Sequence, residues 1–200
     1  MADHLEIEQK YEAGTDFVLP ALAGLPGVAQ ETDPEVYHLD ATYYDTEDLA
    51  LQRAKVTLRR RTGGSDAGWH LKLPVSIDTR REVREPLAGT EVPAGLVARV
   101  AGLTAGSPLI PVACLKTERT VRRLISQAGV MLAEIADDHV TARRLGAAQG
   151  EPLIWREIEV EAGEDAGDST GLLAAIGQRL LDAGAGPAKS ASKVGRILSS

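Results

Sequence analysis

The chain has 200 residues, 44% of them hydrophobic and 26% charged, and carries 29 acidic against 22 basic side chains for a formal net charge of −7. That length suits one domain with a substantial core, spanning 1–200, and the acidic balance argues against a protein that grips nucleic acid over its whole surface. The single Cys114 excludes an internal disulfide or a cysteine zinc cluster, His4, His38, His70 and His139 lack zinc-site spacing, and no apolar run is long enough for a membrane span.

Asp3, Glu6 and Glu8 stand where a secretory signal would be basic and then apolar, so a cytoplasmic location is expected. From His4 to Glu12 the residues alternate, with Leu5 and Ile7 on one side and Glu6, Glu8 and Lys10 on the other, as in a strand. Thr15 to Leu25 reads as a short helix limited by Pro20, and Gly24 to Pro34 as a loop. Val36 to Asp45 has the β-branched and aromatic content of a strand. Thr46 is placed to cap a short helix running to about Ala54.

Three strand-like runs follow, Lys55 to Thr62, Trp69 to Pro74 and Arg80 to Leu87, the first two joined by the tight-turn sequence from Gly63 to Gly68. Leu96 to Leu103 reads as a helix between glycines. Two long strands, Ile110 to Ser126 and Val130 to Leu145, meet at a short turn, and Leu153 to Ala162 alternates again. Thr170 to Ala183 has helical spacing of Leu172, Leu173, Ile176, Leu180 and Leu181. A glycine-rich link over 183–188 leads to a last short helix around Ser190 to Leu198. About eight strands with a few helices predict an α+β protein with a large antiparallel sheet, and a sheet of that size can close into a barrel.

The charges fall in phase. Arg59 and Arg61 share a strand face, as do His70 and Lys72, as do Arg80, Glu82 and Arg84; Arg119 aligns with Arg123, Glu134 with Asp138, and Glu157 with Glu159 and Glu161. One solvated sheet face explains any single strand of this kind. Taken together, the faces repeat Arg beside Arg and Glu beside Glu, which repel unless an opposite charge lies between them. In a closed sheet these faces would line the lumen, where carboxylates suit Mg²⁺ or Mn²⁺ and guanidinium and ammonium groups suit phosphate oxygens.

Several of these pieces resemble the motifs of the CYTH family, the triphosphate tunnel metalloenzymes, and they occur in that family's order. Glu6-Ile7-Glu8-Gln9-Lys10 matches its N-terminal ExExK. Thr42-Tyr43-Tyr44-Asp45-Thr46, Thr57-Leu58-Arg59-Arg60-Arg61, Trp69-His70-Leu71-Lys72, and Glu82 with Arg84 resemble the following strands. Ala136-Asp137-Asp138-His139-Val140, Glu157-Ile158-Glu159 and Ser192-Lys193 resemble the last motifs.

The resemblance implies a closed eight-stranded antiparallel β-barrel, with flanking helices and a charged tunnel in which Mg²⁺ or Mn²⁺ assists attack on a triphosphate. It implies metal ligands at Glu6, Glu8, Asp138, Glu157 and Glu159, and phosphate contacts at Lys10, Arg59, Arg61, Lys72, Arg84, Arg119 and Lys193, with Glu159, Asp138 and Lys10 closest to the chemistry. Glu82 would orient a neighbouring cation or support metal, and Glu134 is a weaker candidate. Strand phase alone favours Asp138 over Asp137. Where the family has a second basic residue two positions before Arg119, this chain has Thr117, and Arg123 is the candidate to compensate. Trp69 and Tyr43 read as packing residues and Cys114 as a small buried hydrophobe.

The implied function is hydrolysis of inorganic tripolyphosphate or a related organic triphosphate by in-line attack of a metal-activated water. The alternatives are a class IV-type adenylate cyclase and a polyphosphate- or nucleotide-binding module without turnover. A small triphosphate-containing substrate is the expected partner, with no nucleic acid or membrane partner; oligomeric state stays open.

Overall fold

A computed structural model describes residues 2–146 and 150–199. Its strands are β1 (Ala2–Ala13), β2 (Val28–Glu31), β3 (Glu35–Asp45), β4 (Thr57–Thr62), β5 (Gly68–Pro74), β6 (Thr79–Glu85), β7 (Ile110–Ser126), β8 (Met131–Arg144), β9 (Leu153–Ala162) and β10 (Gly186–Pro187). Its helices are α1 (Ala50–Arg53), α2 (Ala94–Thr104), α3 (Thr170–Asp182) and α4 (Lys193–Leu198). The sheet runs β1-β6-β5-β4-β3-β7-β8-β9 and returns to β1, so eight antiparallel strands close into a barrel. β10 adds to β1, and β2 adds to β7.

Closure depends on β1 serving two neighbours. Residues 2–7 pair with β6, and residues 8–13 pair with β9. Side chains alternate between the two sides of a strand, so one set of each strand points into the lumen. The outward set builds two separate apolar layers. Leu58, Trp69, Leu71 and Val83 pack beneath Leu51 of α1 and Leu96 and Val100 of α2. Leu124, Ala133, Ile135, Ile158 and Val160 pack beneath Leu173, Ile176 and Leu180 of α3. Burying each of these large side chains contributes about 1.5–3 kcal/mol. The approach of α3 requires Gly177, because a Cβ there would lie 2.1 Å from the Tyr11 hydroxyl oxygen.

The third apolar cluster lies inside. Val194, Ile197 and Leu198 of α4 pack on Tyr43, Ala113, Leu115, Val140, Ala142 and Trp155, which share the inward phase of their strands. This helix fills one end of the barrel.

Four expectations change. The segment from Thr15 to Leu25 forms no helix. Its backbone is served by side chains instead: Arg156 donates to the carbonyls of Gly14, Thr15 and Phe17, and the Glu31 carboxylate accepts from the N–H groups of Leu22 and Ala23. The expected loop from Gly24 to Pro34 contains β2, because the chain there finds the free side of β7. The helix expected from Thr46 shortens to Ala50–Arg53. Asp45 accounts for this by accepting from the backbone N–H groups of Thr46, Leu51 and Gln52, while the Thr46 hydroxyl takes that of Ala50. The 183–188 link also holds the two-residue β10.

Candidate active site

The inward charged residues line a cavity of about 840 Å³. Register brings opposite charges face to face at three places, with Lys10 opposite Glu159, Arg119 opposite Asp138 and Lys72 opposite Glu82, while Asp138 also meets the like charge of Glu157 and Arg59 lies opposite His70.

Asp138, Glu157 and Glu159 form one carboxylate cluster, with one oxygen from each within 4.8 Å of the others. Asp138 is wholly buried. The Lys193 ammonium, only 8% exposed, reaches all three, at 2.8 Å from Asp138, 2.6 Å from Glu157 and 2.7 Å from Glu159. Arg119 grips Asp138 through Nε and Nη2 at 2.7 Å each and reaches Glu159 at 2.6 Å. Lys10 also pairs with Glu159. The Trp155 indole donates to Glu157 at 2.6 Å. Burial alone would raise the Glu159 and Asp138 carboxyls, but Lys10, Lys193 and Arg119 around Glu159, and Arg119 and Lys193 around Asp138, hold both below the usual carboxylate range.

A second cluster joins Glu6 and Glu82 with His4, again with one ligand atom of each within 4.8 Å of the others. Lys72 lies 2.5 Å from Glu6. Arg84 pairs with Glu82 and reaches Glu6 at 3.4 Å. His70 faces Glu82 through Nδ1 at 2.9 Å and the Asp66 carbonyl through Nε2 at 2.9 Å, so both its ring nitrogens are engaged. Burial, with Glu82 beside it, pushes the Glu6 carboxyl up despite Lys72. Glu8 lies between the clusters, 3.2 Å from Lys10 and 3.8 Å from Lys72. Those two ammonium groups hold its carboxyl below the usual value against the effect of burial. Glu161, which lies opposite Glu8, is pushed up to about 7 by burial and by Glu6, Glu8 and Glu159.

Arg59 and Arg61 line the same cavity from β4. Arg59 donates to the Tyr43 hydroxyl at 3.3 Å, Arg61 pairs with Asp66, and the buried Nε of each makes no hydrogen bond. Burial and the positive charges of Arg59 and Arg119 lower Arg61 to about 9. Guanidinium groups crowded in this way have donors available for an anion.

The residues named from sequence thus lie around one lumen, but in two groups. Glu6 meets Glu82 and His4, whereas Glu157, Glu159 and Asp138 meet Lys193. Asp138 points inward, while Asp137 lies on the outer side, gripped by Arg156 at 2.9 and 2.7 Å. Arg123, the candidate to compensate for Thr117, lines the same cavity. It binds Glu134 and Glu35 at 3.0 and 3.1 Å, four residues beyond Arg119 in the opposite direction. Thr117 is buried and lies across from Leu39 and Val140. Trp69 packs outside the barrel, its ring 5.1 Å from that of Tyr44. His4 went unnoticed from sequence, although its even position gives it the phase of Glu6 and Glu8. Carboxylate oxygens in both clusters suit a hard divalent cation, so the residues present fit Mg²⁺ or Mn²⁺.

Among known proteins, the CYTH domain pattern matches residues 4–176. Two uncharacterized proteins of Mycobacterium tuberculosis, MT2285 (strain CDC 1551 / Oshkosh) and Rv2226 (strain ATCC 25618 / H37Rv), are each 42% identical over 208 residues and match 98% of this chain. The chain spans 40% of the length of these curated relatives. Among solved structures, a provisionally assigned adenylate cyclase from Bacillus halodurans superposes with a TM-score of 0.61 at 18% identity, covering 98% of this chain and 99% of that one. The PH1819 protein of Pyrococcus horikoshii OT3 gives 0.56 at 15% identity, with coverage of 97% and 98%. At such identities the likeness is one of fold. No helix among the described residues is long and apolar enough to cross a membrane.

Proposed function

The chain belongs to the CYTH domain family, and from that premise we propose that it is a metal-dependent triphosphate hydrolase, with inorganic tripolyphosphate as the preferred substrate. The observation that carries this reading is the pair of arginines on one face of β4, Arg59 and Arg61, whose buried Nε atoms make no hydrogen bond while they share a cavity with Glu6, Glu82 and Glu159 of the two carboxylate clusters. A buried cation with an unmet donor is costly, and a multiply charged anion would meet it.

Asp138, Glu157 and Glu159 would hold one divalent cation, and Glu6 with Glu8 would hold another. These cations would supply charge neutralisation and an activated water for in-line attack on the terminal phosphorus. Lys10, Lys193, Arg119, Lys72 and Arg84 now neutralise these carboxylates. Relieved of that task, the same cations turn toward phosphate oxygens and join Arg59 and Arg61. Metal and anion therefore reinforce each other's binding. Catalysis comes from orientation and charge stabilisation, so no serine or cysteine nucleophile is required.

A cavity of about 840 Å³ also has room for a nucleoside triphosphate, which favours the class IV-type adenylate cyclase as the second reading. Product analysis with Mg²⁺ or Mn²⁺ on tripolyphosphate, ATP and thiamine triphosphate separates the two. The expected result is orthophosphate and pyrophosphate from tripolyphosphate, lost in Glu8→Gln. Cyclic AMP and pyrophosphate from ATP would move the assignment to the cyclase. Tight tripolyphosphate binding without turnover of any substrate would mark a binding module.

A further inference from the structure

The His4 ring approaches the lumen from the half of β1 that pairs with β6, directly opposite Glu82. Its Nε2 lies 3.5 Å from a Glu6 oxygen and 3.5 Å from a Glu82 oxygen. That nitrogen is buried and makes no hydrogen bond, although the ring as a whole keeps 18% of its surface. The two carboxylates beside it are almost wholly enclosed. Donors around a small cation at about 2.1 Å stand roughly 3–3.5 Å apart, which is the spacing Nε2 keeps to both oxygens.

The second histidine of this region cannot take the same part, since Glu82 and the Asp66 carbonyl occupy its nitrogens. The cation that now bridges the two oxygens is Arg84, whose side chain is 36% exposed and can swing out. An imidazole nitrogen is a poor ligand for Mg²⁺ and a good one for transition metals, whereas carboxylates serve both.

We propose that His4, Glu6 and Glu82 form a cation site of their own, distinct from the Asp138 cluster. Its nitrogen ligand makes it prefer Mn²⁺ to Mg²⁺, and filling it releases the Arg84 guanidinium into the cavity. This inference rests on the metal-dependent reading of the lumen, and it gives that site a specificity residue outside the carboxylate set.

The test uses the full metal-stripped chain and Mn²⁺ alone, followed by electron paramagnetic resonance. Pulsed spectra of the wild type should show a directly bound ¹⁴N that changes on labelling with ¹⁵N-histidine, and the signal should persist in Asp138→Asn. His4→Gln should lose the signal and weaken Mn²⁺ binding at one site by about tenfold or more, while Mg²⁺ affinity stays within about twofold. Mn²⁺ bound without any nitrogen signal, or equal Mn²⁺ affinity in His4→Gln, overturns the inference and leaves the triphosphate reading standing. Failure of the chain to bind Mn²⁺ at all overturns both. The labelling experiment needs no substitution, so a folding defect in His4→Gln does not spoil it.

Discussion

The two carboxylate clusters of the lumen use the same kind of acid and differ in what balances it. Around Asp138, Glu157 and Glu159 the counter-charges are buried and come from strands β1 and β7 and helix α4. Around Glu6 and Glu82 they come from β5 and β6, include a partly exposed Arg84, and stand beside an imidazole nitrogen that makes no hydrogen bond. Burial decides how readily a counter-charge can be exchanged. A cation held from three sides behaves as part of the fold, and one with a face to water behaves as an exchangeable partner.

The sharpest way to break this contrast is Lys193→Met. It removes the one ammonium that touches all three acids of the first cluster, and should cost about 3–5 kcal/mol in urea unfolding of the metal-free protein. Excess Mn²⁺ should restore part of that loss. Equal stability of the variant and wild type would mean that the cluster is not held by α4.

A smaller effect is expected from adjacent acids with opposite directions. Asp138→Asn should lower tripolyphosphate turnover by about 100-fold or more. Asp137→Asn, which weakens outer contacts with Arg156 and His139, should leave turnover within about twofold and cost roughly 1 kcal/mol of stability. Steady-state kinetics and denaturation on both variants would show whether the barrel wall separates chemistry from packing.

Glu161 provides a pH-dependent test. Its carboxyl titrates at about 7 in the folded barrel, against an ordinary 4.5. A raised folded value means that the contribution of the protonated form is complete below about pH 4.5 and is lost as pH rises through 7. Glu161→Gln should therefore raise the Tm of the metal-free protein by roughly 2–6 °C at alkaline pH and change it little near pH 4. A gain of the same size at both ends would remove the titration from the explanation. Least affected of all should be Glu118→Gln, an exposed acid on the outer side of β7. Its expected change, within about 0.5 kcal/mol, sets the baseline for the other variants.

What the sequence discloses and what it hides follow from the range of the interactions involved. The bounds of β7 and β9 are legible to the residue, and in β9 the alternation of inward Glu157, Glu159 and Glu161 with outward Ile158 and Val160 states its own period. The same phase separates Asp138 from Asp137. The false helix at Thr15 to Leu25 has the composition of one, but its backbone partners are Arg156 and Glu31, which local propensity does not register. The grouping of Glu6 with Glu82 rather than with Glu157 depends on the register of β1 against β6. Nothing near Glu6 in the chain specifies that register. Thr117 is explained by its neighbours, since Leu39 and Val140 make that part of the lumen apolar, where an unpaired base would be costly.

The divided pairing of β1 bears on when the centre comes into being. Lys10 meets Glu159 across 149 residues of sequence, and contacts so distant form late because the intervening loop must first be closed. A nascent barrel can already hold Glu6 against β6 while β9 remains unjoined. It then lacks the Lys10 contact that Glu159 needs. The seam between β1 and β9 is thus a completion step: the proposed centre has all its groups in place only once these two strands have paired.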